Sequence, residues 1–174
     1  VFYQLKTDKT GIHKIDYSFL QSLGINTAVS LTNLRIFGNG GGMLPELAGA
    51  EKYDDITENP IQVYDQNGNN LFDAPDYILF YAESPDKWTY NASAQRFTHQ
   101  KHLYSNFNYY FLNFDIGPGK RIAPQPQTAE YNTTVTAFTD YAVHNNDRVQ
   151  PIKSGRTWLG EEFNVELTQN FNFN

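Results

Sequence analysis

The sequence predicts a mostly β fold: an antiparallel sandwich or partly closed barrel with one short helix. Three observations carry that expectation. Aromatic residues make up 16% of the 174 residues and charged residues only 18%, the opposite of the balance that keeps a chain disordered. Short runs of alternating apolar and polar residues recur along the chain, as strands with one buried face require. Between the runs lie clusters of Gly, Asn, Asp and Pro, which tolerate left-handed backbone or preset φ in turns. A chain of this length buries roughly 70% of its unfolded surface on folding, enough for a real core.

The elements follow in order. Phe2 to Thr7 reads as a strand, Thr10-Gly11 as a turn, and Ile12 to Ile15 as the next strand. Asp16 suits the N-cap of a short helix carrying Tyr17, Phe19, Leu20 and Leu23 inward, with Gly24 closing it. Leu34 to Phe37 alternates and precedes the glycine loop Gly38-Asn39-Gly40-Gly41-Gly42. Ile61 to Tyr64 and Tyr77 to Tyr81 read as strands; the second is apolar on both faces, which places it centrally in a sheet. Trp88 to Tyr90 and Arg96 to Thr98 form an expected hairpin, and Asn108 to Phe114 a further strand. Ala123 to Asn132, with Pro124 and Pro126, reads as a connector, and Val135 to His144 as one more strand. Phe163, Val165 and Leu167 alternate with polar residues, and the alternation runs on to Asn174. The expected division is a β-rich module over 1–152 and a continuing strand over 153–174 that leads into the next module of a longer parent.

Charge and composition exclude several classes. The net charge is −6 and no block of Lys or Arg occurs, so the cationic footprint that nucleic acid demands is missing. There is no cysteine, hence no disulfide, thiolate metal site or cysteine nucleophile within this stretch. No apolar run approaches the roughly 20 residues of a membrane helix. The chain starts Val1-Phe2-Tyr3-Gln4 without an initiator Met, and reads as a mature or excised piece.

The most specific local signal runs from Asp65 to Asp76. Counting Asp65 as position 1, side-chain oxygens stand at positions 1, 3, 5, 9 and 12 (Asp65, Asn67, Asn69, Asp73, Asp76), with the Leu71 carbonyl at position 7. That is the ligand spacing of a calcium loop, because a hard cation needs several oxygens converging as the chain wraps around it. Asn70 stands where glycine is usual, and Asn is the side chain that best tolerates left-handed backbone. The flanking runs read as strands, so this is no helical EF-hand. The competing reading is a plain hairpin turn nucleated at Asn67-Gly68.

Other candidates are weaker. The glycine loop lacks the third glycine of a dinucleotide fingerprint, and Pro45 interrupts any following helix, so a tight turn is the better reading. His99 and His102 fall in strand-like surroundings that turn them apart, which argues against zinc; His13 and His144 read as packing or surface residues. Glu161, Glu162, Asp54 and Asp55 offer acids for glycoside chemistry only if two of them sit about 5–10 Å apart across a cleft. Trp88, Tyr90, Tyr104, Phe107 and Tyr109 could stack sugars, which gives the alternative reading of a calcium-dependent carbohydrate-binding β-sandwich.

Beyond these local signals, an ordered string of motifs resembles the N-terminal, non-catalytic region of PorU-type proteins. These are the gingipain-like cysteine peptidases that serve as the sortase of the type IX secretion system in Bacteroidetes. The resembling segments are Gly11-Ile12-His13-Lys14-Ile15, the run from Leu34 through the glycine loop to Glu46, and Asp73-Ala74-Pro75-Asp76-Tyr77-Ile78-Leu79-Phe80-Tyr81. Trp88, Tyr104-Ser105, Tyr109-Tyr110-Phe111-Leu112, Gly119-Lys120-Arg121-Ile122 and the run from Ser154 to Phe163 follow. The resemblance implies an exported, outer-membrane-associated parent whose downstream peptidase domain removes C-terminal sorting signals from cargo. It implies that domain and outer-membrane secretion components as partners. The Cys–His dyad of that family is not carried over, since cysteine is absent.

Overall fold

The computed structural model describes residues 1–25, 28–126, 133–137, 141–153, 155 and 157–173. Within it the chain divides into two units, Val1–Trp88 with Gln100–Pro126, and Thr89–His99 with Gln127–Asn174.

In the first unit, β1 (Tyr3–Thr7) and β2 (Gly11–Asp16) are joined by a short turn, and α1 (Tyr17–Ser22) follows directly. The Asp16 carboxylate accepts the Phe19 backbone N–H at 3.0 Å, which satisfies one orphan donor of the first turn. At the other end Gly24, at φ +81°, donates to the Gln21 carbonyl, and Ile25 donates to that of Leu20 at 3.1 Å. This is the Schellman pattern expected of a glycine there. Leu20 and Ile25 are buried, whereas Phe19 is 40% exposed. A helix of under two turns has room for one inward row, and Leu20 takes it, so the inward placement expected for Phe19 is corrected.

β3 (Arg35–Phe37), β4 (Glu58–Asn59), β5 (Gln62–Tyr64), β6 (Tyr77–Ala82) and β9 (Asn108–Asn113) complete this unit's strands. They form a four-stranded antiparallel sheet of order β1-β9-β3-β4 and a three-stranded one of order β2-β6-β5. Among the described residues no closed barrel forms. Register puts Leu5 opposite Tyr110 and Ile36 opposite Leu112 in one sheet, and Ile15 and Val63 opposite Ile78 in the other. Those rows face one shared core, in which the Phe80 and Tyr110 rings meet edge to face at 5.6 Å. Each fully buried Leu or Ile contributes about 1.5–3 kcal/mol.

β6 is central as expected, yet its other face stays open: Tyr81 is 56% exposed. Local ring packing partly covers that face, with Tyr64 stacked on Tyr77 at 4.5 Å and the Lys14 ammonium 4.4 Å over Tyr77. The apolar run therefore marked the middle of a sheet without a second covering layer.

The hairpin of β7 (Lys87–Asn91) and β8 (Arg96–Gln100) is a two-stranded sheet. In the second unit the Tyr90, Phe97 and Tyr141 rings pack in series, each step 5.1 Å, and Val149 and Leu159 form an antiparallel bridge. The strands expected over 135–144 and 163–174 are not found among the described residues of those spans. Alternation is necessary for a strand, but a ladder also needs a partner; Val165 and Leu167 are 86% and 78% exposed with none. Asn132, Phe138, Ser154, Arg156 and Asn174 lie outside the described residues.

Candidate functional site

The Asp65–Asp76 loop joins β5 to β6 and is tied down from both sides. Asn70 adopts φ +58°, the left-handed turn expected at the sixth position. Its side-chain oxygen accepts the Thr32 N–H at 3.2 Å and the Thr32 hydroxyl at 2.8 Å, while its backbone carbonyl accepts the Leu31 N–H. Phe72 donates its N–H to Val29 and is buried. The loop is thus clamped onto residues 29–32, far away in sequence.

Inside the loop the predicted ligands are used as follows. The Asp65 carboxylate accepts the N–H groups of Gly68 at 2.6 Å and Asn70 at 2.9 Å. The Asn70 bond above all, with the other turn amides, holds the Asp65 carboxyl below its ordinary value. The side-chain amides of Asn67 and Asn69 converge on the two oxygens of Asp73, at 3.0 and 2.8 Å. Their own oxygens accept the N–H groups of Asn69 and Leu71. Asp76 is fully buried, its two oxygens taking the N–H groups of Gln66 at 2.7 Å and Asp73 at 3.2 Å. The structure therefore brings Asn67, Asn69 and Asp73 into direct contact, ties Asp65 to the same turn, and turns Asp76 inward as the base. Among the described residues no group of three or more His, Cys, Asp or Glu side chains is poised to hold a metal. Any cation set here draws on the Asn oxygens and the Leu71 carbonyl as well as the carboxylates.

The glycine loop does different work. A Cβ at Gly38 would overlap the Tyr110 ring, and one at Gly41 would overlap the Ser84 carbonyl. The Gly41 N–H donates to the Glu83 carboxylate at 2.8 Å, and Asn108 donates to the Gly40 carbonyl at 2.7 Å. With a protein carboxylate already on that amide, the loop is a close backbone approach rather than a phosphate cradle.

The remaining candidates disperse. The Nδ1 atom of His102 accepts the N–H groups of Tyr104 and Ser105, anchoring a turn; His99 lies on β8 and His13 bonds to the Lys9 carbonyl. Glu161 pairs with His144 at 2.8 Å, which holds its carboxyl below the ordinary value, whereas Glu162 accepts from Asn164. Asp54 and Asp55 are exposed, and Asp55 bonds to its neighbour Ile56. Of the aromatics, Phe107 lies under the Lys6 ammonium at 4.6 Å, Tyr104 stands edge-on to His102, and Tyr90 packs on Phe97. Tyr109 is 41% exposed and Trp88 is half-buried.

One organising residue escaped the reading of local motifs. The Arg121 guanidinium donates to the carbonyls of Leu31 at 2.6 Å, Thr32 at 2.7 Å and Leu34 at 3.1 Å. Gly119 passes so close to Leu34 that a Cβ would strike its carbonyl. The string Gly119-Lys120-Arg121-Ile122 is therefore a clasp over the segment that also holds the Asp65–Asp76 loop. Its only signal in the sequence was its place in the family-like motif string.

The first unit is an antiparallel β module of two sheets on one core; the chain has no cysteine, and no catalytic set is assembled among the described residues. No family model matches the chain, and no curated protein does. Among solved structures, the crystal structure of dimeric latent PorU from Porphyromonas gingivalis is similar, with a TM-score of 0.62 and 27% sequence identity. The match covers 93% of this chain and 14% of that one, so the chain corresponds to a small part of PorU.

Proposed function

We propose that the chain is a non-catalytic accessory module of a larger, exported, outer-membrane-associated gingipain-like peptidase. It supports the folding, docking or orientation of a downstream catalytic domain that removes C-terminal sorting signals. One observation carries this reading: nearly the whole chain matches a 14% portion of PorU, while the cysteine that such a peptidase needs is absent from it. No helix among the described residues is long and apolar enough to cross a membrane. The coding sequence adjoining residue 174 tests the assignment. A Cys–His peptidase region there supports it, and an unrelated continuation overturns it.

We further infer that the Asp65–Asp76 loop takes calcium as a structural ion. The left-handed turn at Asn70 and the spacing of oxygen-bearing residues support this reading, and it requires the Asn67 and Asn69 amides, which now donate to Asp73, to turn their oxygens inward. The ion would replace the two amide N–H groups against Asp73 and draw on Asp65, Asn67, Asn69, the Leu71 carbonyl, Asp73 and Asp76. An ion binding only the folded state adds about 2.7 kcal/mol at one hundred times its dissociation constant, or roughly 5–10 °C in Tm at this size. Melting in millimolar calcium against EDTA should show that rise, and Asp65→Ala with Asp73→Ala should abolish it. Identical melts would leave a self-bonded turn. The carbohydrate-binding alternative gains no comparable support, because Tyr104, Tyr90 and Phe107 each contact a different neighbour, His102, Phe97 and Lys6.

A further inference from the structure

We propose that the groove between β1 and β2 binds an extended peptide, supplied in trans, whose side chains alternate between apolar and acidic. β1 is the outer strand of the four-stranded sheet and β2 the outer strand of the three-stranded sheet. Each pairs on one side only, β1 with β9 and β2 with β6. A strand paired on one side leaves alternate backbone N–H and C=O groups facing outward, a template for one more strand. Between these two edges lies a groove of about 440 Å³ whose lining includes the buried Leu5, Ile15 and Phe80 and the exposed Phe19 and Tyr109.

The groove's charge selects the occupant. Its lining includes Lys6, Lys14 and His13 and no carboxylate, in a chain whose net charge is −6. Lysines on a sheet edge ordinarily guard it against pairing. Here both ammonium groups are drawn sideways, Lys6 over Phe107 at 4.6 Å and Lys14 over Tyr77 at 4.4 Å. The ammonium groups thus stand beside the edges and not across them, and the acids nearest in sequence, Asp8 in the turn and Asp16 at the end of β2, lie outside the groove's lining. A peptide strand would gain main-chain bonds from one edge, place alternate apolar side chains in the groove and aim the intervening carboxylates at the lysines. β1 is five residues long, about 17 Å at strand rise, so five or six peptide residues span it. This inference does not depend on the accessory reading above, since it uses only the edges, the groove and its charge.

A suitable probe lies in the chain's own sequence: in Glu161-Glu162-Phe163-Asn164-Val165-Glu166-Leu167-Thr168 the apolar Phe163, Val165 and Leu167 alternate with polar residues, of which Glu162 and Glu166 are acidic. The intact chain is titrated with that synthetic peptide at low salt. Saturable binding is expected, with slowed amide exchange along β1 or β2. A peptide with lysine at its glutamate positions should bind at least about tenfold more weakly. Two N-methylated peptides, blocked at odd or at even residues, should split: one loses binding and the other keeps it, because only alternate N–H groups reach an edge. The Lys6→Glu, Lys14→Glu chain should bind the original peptide more weakly while keeping its circular dichroism. No saturable binding, equal binding by both N-methylated peptides, or indifference to charge reversal would each overturn the proposal.

Discussion

The Tyr110 hydroxyl accepts the Glu83 N–H at 2.8 Å, and its ring fills the space that glycine leaves open at position 38. Burial pushes its phenol above the ordinary value, so it stays protonated through the working range. Tyr110→Phe would keep the ring and strand the Glu83 amide, a loss of about 1–3 kcal/mol. Each kcal/mol lowers Tm by roughly 2–4 °C at this size, so thermal melting reads the effect directly; an unchanged melt would mean that water takes the hydroxyl's place. Neither this bond nor the Arg121 clasp was visible in the sequence. Both join residues far apart along the chain, and no local pattern encodes such partners.

Elements with a local cause were legible. The short helix follows from Asp16 at one end and Gly24 at the other, and both caps form as expected. The left-handed turn at Asn70 likewise follows from residue chemistry and its position in the loop. Strand pairing was less legible, since alternation at Phe163, Val165 and Leu167 states a preference that only a neighbouring strand can satisfy. The glycine loop belongs with the legible elements, and substitution separates its causes. Gly41→Ala should destabilise by about 1–3 kcal/mol, because the obstacle is the Ser84 backbone. Gly49→Ala meets nothing within 4 Å and has no positive φ, so its melt should match the parent chain's. Equal melts for both variants would show that the loop relaxes freely.

For the molecule as a whole, acid is the informative stress. Hydrogen bonds from Arg35 above all, with the Lys120 amide, hold the Glu58 carboxyl below its ordinary 4.5. Those from Ser18 and Phe19 lower Asp16 from 3.8. Carboxyls depressed in the folded state add stability that is complete above their ordinary values and disappears as pH falls through the folded ones. Tm should therefore be level above about pH 5 and decline below it. Glu58→Gln should flatten that decline most, since its side chain is only 8% exposed and meets Arg35 at 2.5 Å; a Tm rising on acidification would contradict the assignment.

The same scale holds the question of what the module is for. If the proposed reading holds, excising residues 1–174 from the longer peptidase in its own cells measures the accessory role most directly. Cargo should accumulate with its C-terminal signal uncut, while the remaining peptidase still cleaves a short fluorogenic peptide. Normal cargo processing without these residues, or peptide cleavage by the 174-residue chain alone, would contradict the proposed role.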